Sequence, residues 1–218
     1  MNLSMQNELI RIRADSMQVE GMLELPENPI GIVLFAHGSG SSRFSRRNNY
    51  VARELRHARM GTLVMDLLTP LEDRDYEMRF DISLLTQRLD TAVDWLRNRA
   101  STKSLPLGLF GASTGAAAAL QVAAARGPDV AALVSRGGRP DMADRDALEK
   151  VRAPTLLIVG GMDEVVIELN RIAYTALRCE KRLEIIPGAT HLFEEAGKLE
   201  AVAALASEWF VLHLAGAE

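Results

Sequence analysis

The chain opens with alternation. Ile10 and Ile12 face one way, Arg11 and Arg13 the other, and Val19, Leu23 and Leu25 keep the same period of two. That period places successive side chains on opposite faces, so these segments read as half-exposed strands of an antiparallel hairpin at a sheet edge. After "PENP" the pattern changes to short apolar runs without alternation: GIVLFAHG, GTLVMDLL, LPLGLFGA, VAALVSRGG, PTLLIVGG and RLEIIPGA. Strands that are apolar on both faces belong in a parallel sheet covered by helices.

Helical periods lie between these runs. Val51, Leu55 and Ala58 form one stripe, and Ile82, Leu85, Leu89, Val93 and Leu96 form a longer one. Val202, Leu205, Trp209 and Leu212 form a third near the C-terminus. Alternating strand and helix predicts a doubly wound α/β sheet with right-handed crossovers. No internal repeat, low-complexity tract or linker interrupts the pattern, so residues 1–218 read as one domain. No insertion is long enough for a substantial lid, and a site at the strand ends should be open.

Composition narrows the partners. A chain of 218 residues can bury a full core without staples. A net charge of -4 argues against nucleic acid, whose phosphates demand a basic surface. The single cysteine, Cys179, precludes an intramolecular disulfide and reads, with the scattered methionines, as packing. The stretch MNLSMQNELIRIRADS lacks the basic start and apolar run of a signal peptide. No apolar stretch approaches the ~18 residues of a membrane span. The expectation is a cytoplasmic protein, monomer or homodimer, that acts on a small molecule and needs neither cofactor nor metal.

In a parallel sheet, ligands bind outside the carboxyl ends of the strands. Ser113 stands there, in G-A-S-T-G, between the strand LPLGLF and an alanine-rich helix. A serine at the apex of a strand–turn–helix exposes its hydroxyl, and Gly111 and Gly115 let strand and helix approach closely. The plainer reading is a helix N-cap, a position serine favours. A hydroxyl needs a base to become a nucleophile. Among four histidines, His57 and His213 sit inside helical stretches, whereas His191 follows the strand RLEIIPG in the loop ATHLFEE.

The base needs a carboxylate that fixes its tautomer. Asp163 directly follows the strand TLLIVGG, and its plainer reading is an N-cap for EVVIELNRIAY. Asp141 after the preceding strand is the reserve acid, and Glu164 a weaker one. The order Ser113, Asp163, His191 is that of the α/β-hydrolases. The loop HGSGSS follows the first parallel strand, where Gly38 and Gly40 let backbone N–H groups turn inward. The expected oxyanion donors are the N–H groups of Ser39 and Thr114. His37 is expected to shape this loop, since a base there would break the chain order.

These segments carry a resemblance. From LFAHGSGSSR through GLFGASTGAAAAL and LLIVGGMDE to IPGATHLFEE, nearly the whole chain resembles a small α/β-hydrolase of the dienelactone hydrolase-like group. It is similar to the hydrolase module found beside phosphoribosyltransferase-like domains. The resemblance implies a mostly parallel eight-stranded sheet and hydrolysis of an ester or related acyl bond. It assigns nucleophile, acid and base to Ser113, Asp163 and His191. Dienelactone hydrolases proper use a cysteine nucleophile, so the serine here means that the dienelactone substrate is not inherited.

Two basic motifs remain. SRFSRR places Arg43, Arg46 and Arg47 beside the oxyanion loop, where guanidinium forks could hold an anionic substrate group. The favoured alternative pairs them with the acidic stretch LEDRDYE on a solvated helix entrance. SRGGRP follows a strand and could line the pocket through Arg136, or simply turn the chain with its glycines. Two rival functions stay open. HGSGSSR could be a phosphate loop of a nucleotide-binding protein, although Arg43 stands where G-x-G-x-x-G needs its third glycine. Alternatively, the chain could be an inactive hydrolase fold that serves as an interaction module.

Overall fold

A computed structural model describes residues 5–14 and 17–215. The rest, residues 1–4, 15–16 and 216–218, lie outside the described part; the first two groups belong to the stretch read as lacking a leader pattern. The alternating start forms β1 (Gln6–Ala14) and β2 (Met17–Leu25), paired antiparallel with Ile12 opposite Val19. Ile10, Ile12, Val19 and Leu23 point inward, as the period of two predicts.

The six apolar runs become β3 (Gly31–Ala36), β4 (Met60–Met65), β5 (Leu107–Ala112), β6 (Val130–Arg136), β7 (Thr155–Gly160) and β8 (Lys181–Ile186). The eight strands make one sheet in the order β1-β2-β4-β3-β5-β6-β7-β8. β2 meets β4 antiparallel, and every pair from β4 to β8 is parallel. Strands β3 to β5 and β7 are buried along their whole length. β8 differs, with mostly half-buried residues, because an edge strand has only one neighbour to cover it.

Helices cover both faces. α1 (Arg46–His57) and α6 (Lys198–Leu214) pack Val51, Leu55, Trp209 and Phe210 against Val33, Phe35, Phe110 and Val134. α2 (Ile82–Arg97), α3 (Thr114–Arg126), the short α4 (Arg145–Lys150) and α5 (Glu164–Ala176) cover the other face, on Leu34, Leu109, Leu133 and Leu157. Each fully buried Leu, Ile or Phe contributes about 1.5–3 kcal/mol relative to exposure. The Ser45 and Asp81 side chains cap α1 and α2 by accepting from the N–H groups of Asn48 and Leu84.

The stripe expected on α6 is rotated. The buried set is Val202, Ala203, Ala206, Trp209, Phe210 and Leu214, while Leu212 is exposed. Alanines carry much of the true contact face, and selecting only large residues shifted the stripe sideways. Residues 66–81, between β4 and α2, form an irregular excursion with two short 3₁₀ turns, 72–74 and 78–80. Its importance lies in where it returns, beside the loop after β3.

Candidate active site

One residue separates β5 from α3, and it is Ser113. Its backbone sits at φ 50 and ψ -120, a region that side-chain-bearing residues avoid at a cost of about 1–3 kcal/mol. The surroundings enforce it. A Cβ on Gly111 would lie 2.8 Å from the Ala116 nitrogen, and one on Gly115 would lie 2.5 Å from the His37 carbonyl oxygen. Neither position accepts any side chain, because the opposing atoms are backbone. The Ser113 N–H donates to the Arg136 carbonyl at 3.3 Å, and its carbonyl accepts from the Arg139 N–H at 3.1 Å. Although Ser113 precedes a helix, its side chain makes no capping bond. The N-cap reading is thereby removed.

Asp163 follows β7, with its N–H bonded to the Gly160 carbonyl at 3.0 Å. Its side chain makes no capping bond to α5 either. Instead its Oδ2 receives His191 Nδ1 at 2.6 Å. This bond assigns the imidazole proton to Nδ1 and leaves Nε2 as an acceptor. Asp163 is largely buried and His191 partly open to solvent. The ring lies against the turn after β6, where a Cβ on Gly137 would be 3.4 Å from its Cε1. That turn also holds the Ser113 backbone, so serine and histidine border one short segment. Their side chains are not hydrogen-bonded to each other here.

The reserve acid is otherwise engaged. Asp141 forms a two-pronged pair with Arg139, at 2.8 and 2.7 Å. That bond, the largest influence on Arg139, holds its guanidinium above the usual value. Glu164 lies exposed in the first turn of α5. His57 pairs with Glu54 on the surface, and His213 stacks edge-on against Trp209.

The loop after β3 crosses in front of Ser113, with the Cβ position of Gly38 only 2.9 Å from the serine Cβ. Ser39 and Thr114 border a narrow crevice, too small to hold a water molecule, together with His37, Gly38, Gly40, Asp73 and Arg79. Thr114 opens α3, so its N–H belongs to the helix's unpaired first turn. His37 is buried: its Nδ1 donates to the Gly38 carbonyl at 2.9 Å, and Nε2 accepts the Leu67 N–H at 2.9 Å. Burial pushes its pKa below the ordinary value and keeps the ring neutral. It ties the loop to the segment after β4.

Arg43 does not face the cleft. Its guanidinium is committed to Asp66 and to Glu20, and its N–H also binds Asp66 at 2.7 Å. Arg47 pairs with Glu194 at 2.7 Å, so the acidic stretch at 71–77 is the partner of neither. Short-range charge matching picked the wrong partners, because chain reversal brings distant carboxylates closer. Arg136, expected to line an open pocket, is instead buried with its guanidinium toward Asn48.

Arg79 is the residue the sequence pattern missed. Its side chain is held by Asp73 at 3.1 Å, and Nη1 lies 3.7 Å from the Cβ position of Gly40. Sequence gives no signal for it beyond membership in a charged, irregular stretch. Larger grooves exist elsewhere, such as one of about 510 Å³ lined by Ile12, Thr91 and Trp95. Neither the crevice at Ser39 nor any of these larger grooves is lined by Ser113 or His191.

A mostly parallel eight-stranded sheet, a strained serine between β5 and α3, and a histidine–aspartate pair from the last two strand ends define an α/β hydrolase without a lid. The chain belongs to the dienelactone hydrolase family, whose model matches residues 73–211. It is 52% identical to a crystallographically characterised dienelactone hydrolase from Anabaena variabilis, with a TM-score of 0.93 over 96% of this chain and 98% of that one. The fold is shared with Est1E from Butyrivibrio proteoclasticus, at a TM-score of 0.81 over 95% of this chain and 99% of that one, with 17% identity. It is also shared with an α/β serine hydrolase without lid from Xanthomonas campestris, at 0.79 over 98% and 97%, with 21% identity. Two Mycobacterium tuberculosis proteins provisionally named phosphoribosyl transferases are 54% identical over 97% of this chain. The chain spans 48% of their length. Family model and fold agree in placing the chain among the dienelactone hydrolases.

Proposed function

We propose that this protein cleaves carboxylic esters through an acyl-enzyme formed on Ser113. The observation that carries the reading is the Ser113 backbone at φ 50 and ψ -120, beside a His191 ring already bonded to Asp163 at 2.6 Å. A strained residue persists only where its surroundings over-determine it, and such residues cluster at active sites.

The Ser113 Oγ attacks the ester carbonyl while its proton moves to His191 Nε2. Asp163 holds the Nδ1–H and stabilises the imidazolium, without taking the proton. The tetrahedral oxyanion lies between the N–H groups of Ser39 and Thr114, each worth about 3–4 kcal/mol in the transition state. Collapse breaks the ester C–O bond, and the alcohol leaves with the Nε2 proton. Water then gives a proton to His191, attacks the acyl carbon and releases the acid. Ser113 recovers its proton from Nε2.

The matched half of the mycobacterial relatives is the half that corresponds to this hydrolase, so in this reading their transferase name belongs to their remaining residues. The test is turnover of a p-nitrophenyl ester panel of varied acyl length and charge. Wild type is expected to turn over at least one ester and Ser113→Ala none. Equal turnover by both would sink the assignment.

A further inference from the structure

Residues 136–139 touch both halves of the site. The Arg136 carbonyl and the Arg139 N–H bind the backbone of Ser113, while Gly137, at φ +52, abuts the His191 ring. Within this turn the Arg136 side chain has an unusual environment. It is 7% exposed, yet among the described residues it has no carboxylate partner. Its one hydrogen bond is from Nη2 to Asn48 Oδ1 at 3.2 Å, and its Nε is buried without a partner. Burial, and then the like charge of Arg47, push the guanidinium down to about 10, still charged at neutral pH. Arginine is rarely buried unless paired, because an uncompensated charge lowers stability.

The groups around it explain what that cost achieves. The guanidinium carbon lies 6.0 Å from the centre of the Phe193 ring, within reach of a cation–π attraction. Phe193 stands two residues after His191, is fully buried, and itself adopts a positive φ of 56. Asn48 and Arg47 belong to the first turn of α1, and Arg47 binds the next loop residue, Glu194. The loop that carries His191 thus meets Arg136 at 193 and Arg47 at 194.

We propose that Arg136 is a positioning residue whose guanidinium, braced on Asn48, holds Phe193 and thereby fixes the His191 ring against the turn that carries Ser113. The proposal rests on the esterase reading above. It goes beyond that reading by assigning a role to a residue that never meets substrate. A misplacement of about 1 Å in a catalytic group can cost on the order of 10²-fold in rate.

The experiment compares Arg136→Met, Arg136→Lys and Phe193→Leu with wild type. It measures kcat and KM separately, the melting temperature, and the downfield proton resonance of His191 Nδ1–H. Arg136→Met is expected to lose on the order of 10²-fold in kcat. Its KM and melting temperature should change little, because removing a buried charge offsets the lost bond to Asn48. Its Nδ1–H resonance should shift or broaden. Arg136→Lys, which keeps the cation, should recover most of the kcat, and Phe193→Leu should show a smaller loss of the same kind.

Wild-type kcat in Arg136→Met, or a lysine variant as impaired as the methionine one, overturns the proposal. So does a parallel fall of kcat, melting temperature and substrate affinity, which would mark a purely structural role. If Arg136→Met does not fold, Phe193→Leu decides: an unchanged kcat and resonance reject the coupling. If wild type hydrolyses no ester, the functional reading fails, and the resonance alone still judges whether Arg136 holds His191.

Discussion

The serine side and the histidine side of the candidate site are built by different means. Ser113 is held by close-packed backbone, through glycines on which any Cβ would strike backbone atoms of Ala116 or His37 and through its own backbone bonds to Arg136 and Arg139. His191 is held by residues remote in sequence, namely Asp163, the Gly137 turn and the contacts to Phe193 and Glu194. The first is a steric device that tolerates no added atom. The second is an assembly of polar and aromatic contacts, where removing one group leaves the backbone path intact. Bulk added on the serine side should therefore reach the fold, and loss of a group on the histidine side mainly the chemistry.

Substitutions can break this contrast, and the largest effect belongs to the proposed nucleophile. Ser113→Ala should lower kcat by about 10⁴-fold or more, with an unchanged or raised melting temperature once the hydroxyl is gone. Next comes the proposed acid. Asp163→Asn should cost on the order of 10⁴-fold in kcat by stabilising the wrong tautomer of His191. Asp141→Asn should stay within about twofold, since it only weakens a partly exposed pair with Arg139. If the two asparagine variants behaved alike, the acid assignment would be wrong.

On the steric side, Gly115→Ala should destabilise by about 3 kcal/mol or more, as an added methyl must displace the His37 carbonyl. Thermal melting reads this directly, and a wild-type melting temperature would show that the elbow yields. The smallest effect is a pH dependence from His37. Its burial lowers the folded pKa below 6.5, so the unfolded chain takes up the proton first as pH falls. Stability from this group is therefore fully present above about pH 6.5 and declines toward acid, by up to about 1.4 kcal/mol per pH unit, until the folded pKa is passed. Denaturant titrations between pH 7 and pH 5 should show that slope, and His37→Gln should flatten it.

What could be read from sequence follows the same division. The strands, the alternating hairpin and the elbow rest on local pattern, and the structure places them where the apolar runs and the glycines indicate. The positions of Asp163 and His191 after β7 and β8 were legible because a parallel sheet gathers its carboxyl ends. The pairing of the arginines was not. Arg43 found Glu20 and Asp66 instead of the acidic stretch nearer the cleft, because β2 and β4 are neighbours in the sheet though distant in sequence. Arg79 reaches the loop after β3 only through the irregular path of residues 66–81, which carries no periodicity to read. The buried state of Arg136 was hidden for a similar reason: nothing near it in sequence announces Asn48 or Phe193.

The most direct measurement is the site of covalent capture. Wild-type protein treated with a fluorophosphonate probe and mapped by peptide mass spectrometry should carry one adduct, on Ser113, at a rate that collapses in Asp163→Asn and His191→Ala. An adduct on another residue, or a rate that does not depend on Asp163 and His191, would contradict the account.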